Sequence, residues 1–228
     1  MKNNNFNSAY SIVELSITLL IISIIIALTI SSNRLIYNNK LRKIHSEFTI
    51  YDRAVKEFSF QYNQLPGDLP SHMNFWVDSN YGNGDGYINW FDEGYYAWQH
   101  LAKAEIINAN FTGSTNSNYD AIADSNVPAT QLTNILWSAF GSLANNKHSL
   151  YLGKATNVKT RRIAEDSLDP HTIFYLEQKF DDKYPETGSL RIDAGLSNDN
   201  CVEDISAQPK LYKKSSKIAS CDPYFILN

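Results

Sequence analysis

The stretch NSAYSIVELSITLLIISIIIALTI, residues 7–30, decides how the rest of the chain is read. It carries one charge, on Glu14, and none from Leu15 to Ile30. As a helix, Ile12 to Ile30 spans roughly 28 Å, close to a hydrocarbon core about 30 Å thick. Its many β-branched residues do not argue against a helix, because in lipid the backbone must close its own hydrogen bonds. The run is longer than the apolar core of a cleaved secretory signal, and the LTISSNRL that ends it is a poor cleavage site. Glu14 is the anomaly. A carboxylate at the centre of a membrane helix costs roughly 2.5–3.5 kcal/mol, and less near an end where it reaches the interface. Either it rests at the interface, or it has a partner.

After Asn33 the apolar positions become periodic: Leu41, Ile44, Phe48, Tyr51, Val55, Phe58 and Tyr62 recur at steps of three and four, a one-sided stripe on a helix. Lys43, Glu47, Asp52, Arg53, Lys56 and Glu57 lie between them. QLPGDLP, residues 64–70, stops the helix, since Pro66 and Pro70 cannot continue it. Helical throughout, Tyr10 to Tyr62 would make a rod of roughly 80 Å. The stripe is just long enough for a coiled coil with another copy. The reading favoured is that it packs on the chain's own C-terminal domain. The predicted organisation is a short hydrophilic leader over 1–9, a membrane helix over 10–32, its amphipathic continuation over 33–64 and a globular domain over 65–228.

With 228 residues, a net charge of −4 and a pI of about 5.7, the chain has no long basic stripe and no reason to bind nucleic acid. Its 14 Tyr and 4 Trp can build a core in spite of many Asn, Ser and Asp residues. The two cysteines, Cys201 and Cys221, allow one intramolecular pairing. Oxidised, they place the domain outside the cytosol and add roughly 3 kcal/mol by restricting the unfolded chain. The alternative is two buried thiols; the disulfide is preferred because the N-terminus independently points to export.

Within the globular domain, residues 92–107 (DEGYYAWQHLAKAEII) read as a helix with Tyr96, Leu101 and Ala104 or Ile107 facing inward. Residues 131–143 (QLTNILWSAFGSL) and 169–182 (DPHTIFYLEQKFDD) are further helix candidates. SLYLGKA at 149–155, SLRIDAG at 189–195 and the terminal YFILN read as strands. The pattern predicts an α+β fold: a long N-terminal helix packed on a domain with helices and a small antiparallel sheet. Residues 108–129 read as a polar loop, expected to be exposed, that contains a glycosylation sequon at Asn110.

DSNYGNGDGYINWFDE, residues 78–93, has the look of a calcium loop. With Gly86 as the turn glycine, Asn83 and Asp85 fall at ligand positions, Tyr87 offers its carbonyl, Ile88 takes the hydrophobic position and Asp92 the last. The first position is Tyr81, which has no ligating side chain, so Asp78 or Asn80 would have to substitute. A glycine-rich turn, in which Asn and Asp bond their own backbone, is the alternative. The five histidines are scattered, and His100 reads as a packed residue rather than a catalyst. No nucleophile elbow, phosphate loop or cysteine-pair zinc spacing occurs. Asp181 and Asp182, near Glu186, read as turn and cap residues. Nothing in the sequence rises to an active site.

AYSIVELSITLLIISIII, residues 9–26, resembles the N-terminus of type IV pilins and pseudopilins: a small residue, an aromatic, a small or polar residue, two aliphatics, Glu and Leu, then an unbroken apolar helix. Ala9 stands where Gly is usual. The resemblance implies that a prepilin peptidase cuts after Ala9 and methylates the new amine of Tyr10. It also implies that Glu14, then the fifth residue, neutralises that cation on a neighbouring subunit. YNQLPGDLP, GNGDGYINWFDEGYYAWQHLAKAEII and KFDDKYPETGSLRI resemble segments of pilin-like proteins with the same processed N-terminus, mostly of unassigned function. The resemblance thus implies a non-enzymatic structural subunit of a type IV pilus or type II secretion pseudopilus. Its expected partners are the peptidase, other pilin subunits and inner-membrane lipid, with the C-terminal domain periplasmic or in a filament. The alternative is a membrane-tethered periplasmic binding module that never polymerises.

Overall fold

A computed structural model describes residues 11–114, 121–142, 147–154, 167–193, 200–203 and 209–227. The chain divides into two compact units after Leu41. The fold is α+β, with a single long N-terminal helix, α1 (Ile12–Tyr62), whose first part belongs to one unit and whose remainder belongs to the other.

In the first unit every residue from Ser11 to Ile30 is exposed. Among the described residues α1 is the one helix long and apolar enough to cross a membrane. Five of its hydroxyls are turned onto the helix itself. Ser16 donates to the Val13 carbonyl, Thr18 to Leu15, Ser23 to Leu19, Thr29 to Ile25 and Ser32 to Leu28, at 2.7–2.9 Å. These bonds turn the five donors inward, as a lipid-facing surface requires.

In the second unit the expected stripe is the buried face of α1. Ile44, Phe48, Val55 and Phe58 are buried, whereas Phe60, on the opposite side, is 90% exposed. The helix stops at Tyr62, just before the prolines, because Asn63 adopts a left-handed backbone with φ 53°. The stripe covers one face of a four-stranded antiparallel sheet of order β1-β2-β4-β3, built from β1 (Ile135–Ser142), β2 (His148–Lys154), β3 (Leu190–Ile192) and β4 (Pro223–Ile226). Phe48 stacks on Phe225 with ring centres 4.5 Å apart. Tyr51 sets its ring edge-on to both Trp98 and Trp137, at 4.8 and 5.6 Å. Trp98 belongs to α2 (Glu93–Lys103), which packs on β1 and is buried at Tyr95, Ala97, Trp98 and Leu101. Tyr96, expected to face inward, is half-buried. The third helix, α3 (Pro170–Phe180), is capped by Asp169, whose carboxylate accepts from the Thr172 amide.

Within the segment 131–143, expected as a helix, Ile135–Ser142 instead form β1. Asn134 has φ 61° and cannot continue a helix from Gln131. The strand imitates a helix for a definite reason. A bulge between Trp137 and Phe140 inserts one residue, so that they pair with Leu152 and Leu150, which are two apart on β2. Trp137 and Phe140 therefore share one face of a strand at a spacing of three, which copies a helical period. On the other face, Trp90 lies over Gly141, where a Cβ would come within 2.1 Å of the indole ring.

Cys201 and Cys221 are bonded, with Cα atoms 5.1 Å apart, and close a loop worth roughly 3 kcal/mol. Burial of a large apolar side chain contributes about 1.5–3 kcal/mol, and its loss also leaves a cavity. Phe48→Ala is therefore expected to cost about 3–5 kcal/mol in denaturant unfolding of the full chain, and Phe60→Ala less than about 0.5 kcal/mol. Equal effects would overturn the assignment of faces.

Candidate functional site

Three places carry polar groups in arrangements that need explaining: the start of α1, the loop before α2 and the turn after α3. Ala9 and Tyr10 lie outside the described residues. Glu14 does have a partner within its own chain. Its Oε2 accepts from the Ser11 amide at 3.0 Å, while Ser11 Oγ accepts from the Val13 amide at 3.3 Å. Ser11-Ile12-Val13-Glu14 is thus a reciprocal cap that satisfies two donors at the helix start. The S-x-x-E spacing was legible in the sequence and is the local reason a carboxylate is tolerated there.

The loop before α2 is organised around a residue that the calcium-loop pattern does not include. Asp68 is fully buried, and its carboxylate accepts the amides of Gly84 (2.7 Å), Asp85 (3.1 Å) and Gly86 (2.7 Å). Glu93, also buried, accepts the amides of Asn83 and Asn89, each at 3.0 Å. Burial raises the pKa of both carboxyls, and the loop amides work against that rise. Of the expected ligands, Asn83 and Asp85 bond each other: Asp85 Oδ2 accepts from Asn83 Nδ2 at 3.0 Å, and Asn83 Oδ1 accepts the Asp85 amide at 2.9 Å. Tyr87 gives its amide to Asp85 Oδ1. Asp92 is the N-cap residue of α2, and its side chain makes no capping bond. Asp68, Asp85 and Glu93 lie in mutual electrostatic range, and each of their carboxylate oxygens already accepts a hydrogen bond within the loop. The signal for Asp68 was its place in PGD. Gly67, at φ 90°, lies so close to α2 that a Cβ would come within 2.2 Å of the Glu93 carbonyl.

Trp98, Gln99 and His100 point at successive 100° intervals around α2, and each ties a different piece of chain to it. Trp98 Nε1 donates to the Ser138 carbonyl at 3.0 Å. Gln99 accepts the Asn80 amide at 2.9 Å and donates to the Thr112 carbonyl at 2.7 Å. His100 Nδ1 accepts the Gly67 amide at 2.8 Å, which fixes the proton on Nε2, 2.7 Å from the Asn80 carbonyl. Burial lowers the His100 pKa to about 4, so the ring is neutral. Both nitrogens are committed to the backbone, as a packed histidine requires.

After α3, Glu177 is completely buried and accepts from the Tyr212 hydroxyl at 2.8 Å and the Lys183 amide at 3.2 Å. Asp181 accepts the Leu190 amide and lies where a Cβ on Gly188 would strike its carboxylate. Asp182 accepts from the Tyr184 amide and the Thr187 hydroxyl. These carboxylates shape the turn into β3, and through Tyr212 they reach the loop closed by the disulfide. Glu177, Asp181 and Asp182 bring oxygens within 4.8 Å of one another. Burial, reinforced by Asp181 and Asp182, raises the Glu177 pKa to about 8.

No protein-family profile matches the chain, and no curated protein or solved structure is significantly similar to it.

Because folded Glu177 keeps its proton to about pH 8 and unfolded Glu loses it near its ordinary 4.5, stability falls as pH rises through that window. His100, neutral when folded, has the opposite slope, confined to between about pH 4 and the ordinary 6.5. The melting temperature is therefore expected to drop between about pH 6.5 and 8. Glu177→Gln should flatten that drop. A slope left unchanged in the variant would refute the assignment.

Proposed function

We propose that this chain is a pilin-like structural subunit, cleaved after Ala9, methylated on Tyr10 and held in the inner membrane by the apolar part of α1. Its second unit would stand in the periplasm or in a filament of a type IV pilus or type II secretion pseudopilus. The observation that carries this reading is an apolar helix exposed at every residue from Ser11 to Ile30, with a carboxylate at its first turn. Such a surface has to be covered by lipid or by other copies of itself. The resemblance of residues 9–26 to prepilin N-termini selects the second covering in addition to the first. A disulfide in the second unit supports placement outside the cytosol.

The reciprocal cap between Ser11 and Glu14 favours a second reading, a tethered periplasmic binding module, since it satisfies Glu14 without a neighbour. Intact mass and N-terminal sequencing of the protein from its native membrane test the first reading. A chain beginning with N-methyl-Tyr10 is expected; one beginning with Met1 rules out processing. Glu14→Lys separates the two readings. In both it removes the cap and opposes the helix dipole at a cost of about 1 kcal/mol. In the first it also abolishes assembly, read as loss of sheared or cross-linked filaments. Normal filaments from the Lys variant would eliminate Glu14 as the assembly contact.

A further inference from the structure

We infer that Asn83 is a site of covalent self-modification, the loss of its side-chain amide through a cyclic imide with Gly84, and that Asp68 is the positioning residue that sets its rate. Of the ten glycines in the chain, one follows an Asn and one follows an Asp: Gly84 after Asn83, and Gly86 after Asp85. In such pairs a five-membered imide closes readily, because a glycine nitrogen has no side chain beside it to obstruct attack on the preceding side-chain carbonyl. The same two glycine amides are held by the two oxygens of one carboxylate. Gly84 donates to Asp68 Oδ1 and Gly86 to Asp68 Oδ2, each at 2.7 Å. Asn83, Gly84, Asp85 and Gly86 are all exposed, whereas Asp68 is fully buried. Both glycines have left-handed backbones, at φ 77° and 84°, so the turn favours glycine there and keeps the reactive pairs.

The reaction needs the loop and one water. Gly84 N attacks Asn83 Cγ: the N–Cγ bond forms, the Cγ–Nδ2 bond breaks, and Nδ2 departs as ammonia with the proton that Gly84 gives up. Water then opens the ring. Attack at Cγ yields aspartate, and attack at the backbone carbonyl carbon of the same residue yields isoaspartate, in which the chain runs through the side chain. Asp85 closes the corresponding ring with Gly86 by losing water, and reopens as aspartate or isoaspartate of unchanged mass. Ring closure at Asn83 removes both the proton that Asp68 accepts from Gly84 and the Nδ2 group that donates to Asp85 Oδ2 at 3.0 Å. Forfeiting two hydrogen bonds to carboxylates slows the step by on the order of a hundredfold. The closed loop therefore keeps Asn83 intact, and opening releases it to react. The product does not revert. A carboxylate replaces the donor beside Asp85, and like charges at that distance oppose reclosure. Each chain thus carries a permanent mark of whether its loop has opened, independently of the membrane anchor and of polymerisation.

The test incubates the full chain in neutral detergent micelles and reads aspartate and isoaspartate at Asn83 by peptide mapping. The wild type unfolded in concentrated urea is expected to lose Asn83 on the order of a hundredfold faster than the folded wild type. Asp68→Asn leaves the Gly84 and Gly86 amides without a charged acceptor. Under native conditions it should speed the loss by about tenfold or more and bring isoaspartate at Asp85 with it. Glu93→Gln removes the carboxylate that holds the Asn83 and Asn89 amides but leaves Gly84 on Asp68. It should change the rate by less than about threefold, the effect of a loosened loop alone. Equal rates in the folded and unfolded wild type, or a folded Asp68→Asn chain with the wild-type rate, overturns the inference. So does an acceleration by Glu93→Gln equal to that by Asp68→Asn. If Asp68→Asn does not fold, hydrogen exchange of the wild type decides the role of Asp68. The Gly84 and Gly86 amides should then exchange slower than in the unfolded chain by on the order of tenfold or more, and unprotected amides would refute it.

Discussion

The second unit is centred on one aromatic ring. Tyr51 of α1 lies edge-on to Trp98 of α2 and to Trp137 of β1, so a single ring joins the long helix, the short helix and the sheet. Edge-to-face pairs add about 0.5–1.5 kcal/mol to the burial of the rings themselves. The neighbouring polar ties depend on the position of α2. Once Trp98 is seated, Gln99 and His100 are aimed at the segments around Asn80, Thr112 and Gly67 and can satisfy their backbone groups. Desolvation also makes Tyr51 hard to ionise, raising its pKa well above the ordinary tyrosine value.

Two carboxylate-held loops flank this cluster and share a strategy. In each, acids take the backbone amides of a glycine-bearing turn: the buried Asp68 and Glu93 before α2, and the buried Glu177 with the half-buried Asp181 after α3. An unpaired buried amide costs about 1–3 kcal/mol, so Asp68, which accepts three, and Glu93, which accepts two, stabilise a turn that no regular secondary structure could satisfy. Burial makes the charged form of an acid costly, which is why the pKa values of Asp68, Glu93 and Glu177 rise in spite of the bonds they accept.

Much of this was legible in the sequence, and the exceptions are instructive. The stripe from Ile44 to Phe58 identified both the helix and its buried face, because a period of three and four has one geometric meaning when sustained over several turns. Helices α2 and α3, strand β2 and the terminal strand stood near their expected positions. Residues 131–143 misled because a bulge gave a strand the spacing of a helix, and only pairing with β2 could reveal it. Asp68 was passed over because it lies 16–18 residues from the amides it holds, beyond any local pattern. The cap at Ser11 could have been read from its spacing, but the apolar run beside it made Glu14 look solitary.

The order of strands in the sheet bears on how the protein is made. The last strand, β4, is an interior one: it pairs with β2 on one side and β3 on the other, and Phe225 is the residue on which Phe48 stacks. A ribosome adding about 5–20 residues per second delivers Phe225 roughly ten to thirty-five seconds after Phe48. Throughout that interval the apolar stripe of α1 has no completed sheet to cover it, and Cys201 has no Cys221 to meet. The domain therefore cannot fold in the order in which it is synthesised. The stripe of its first helix stays uncovered until β4 has been made and has paired between β2 and β3.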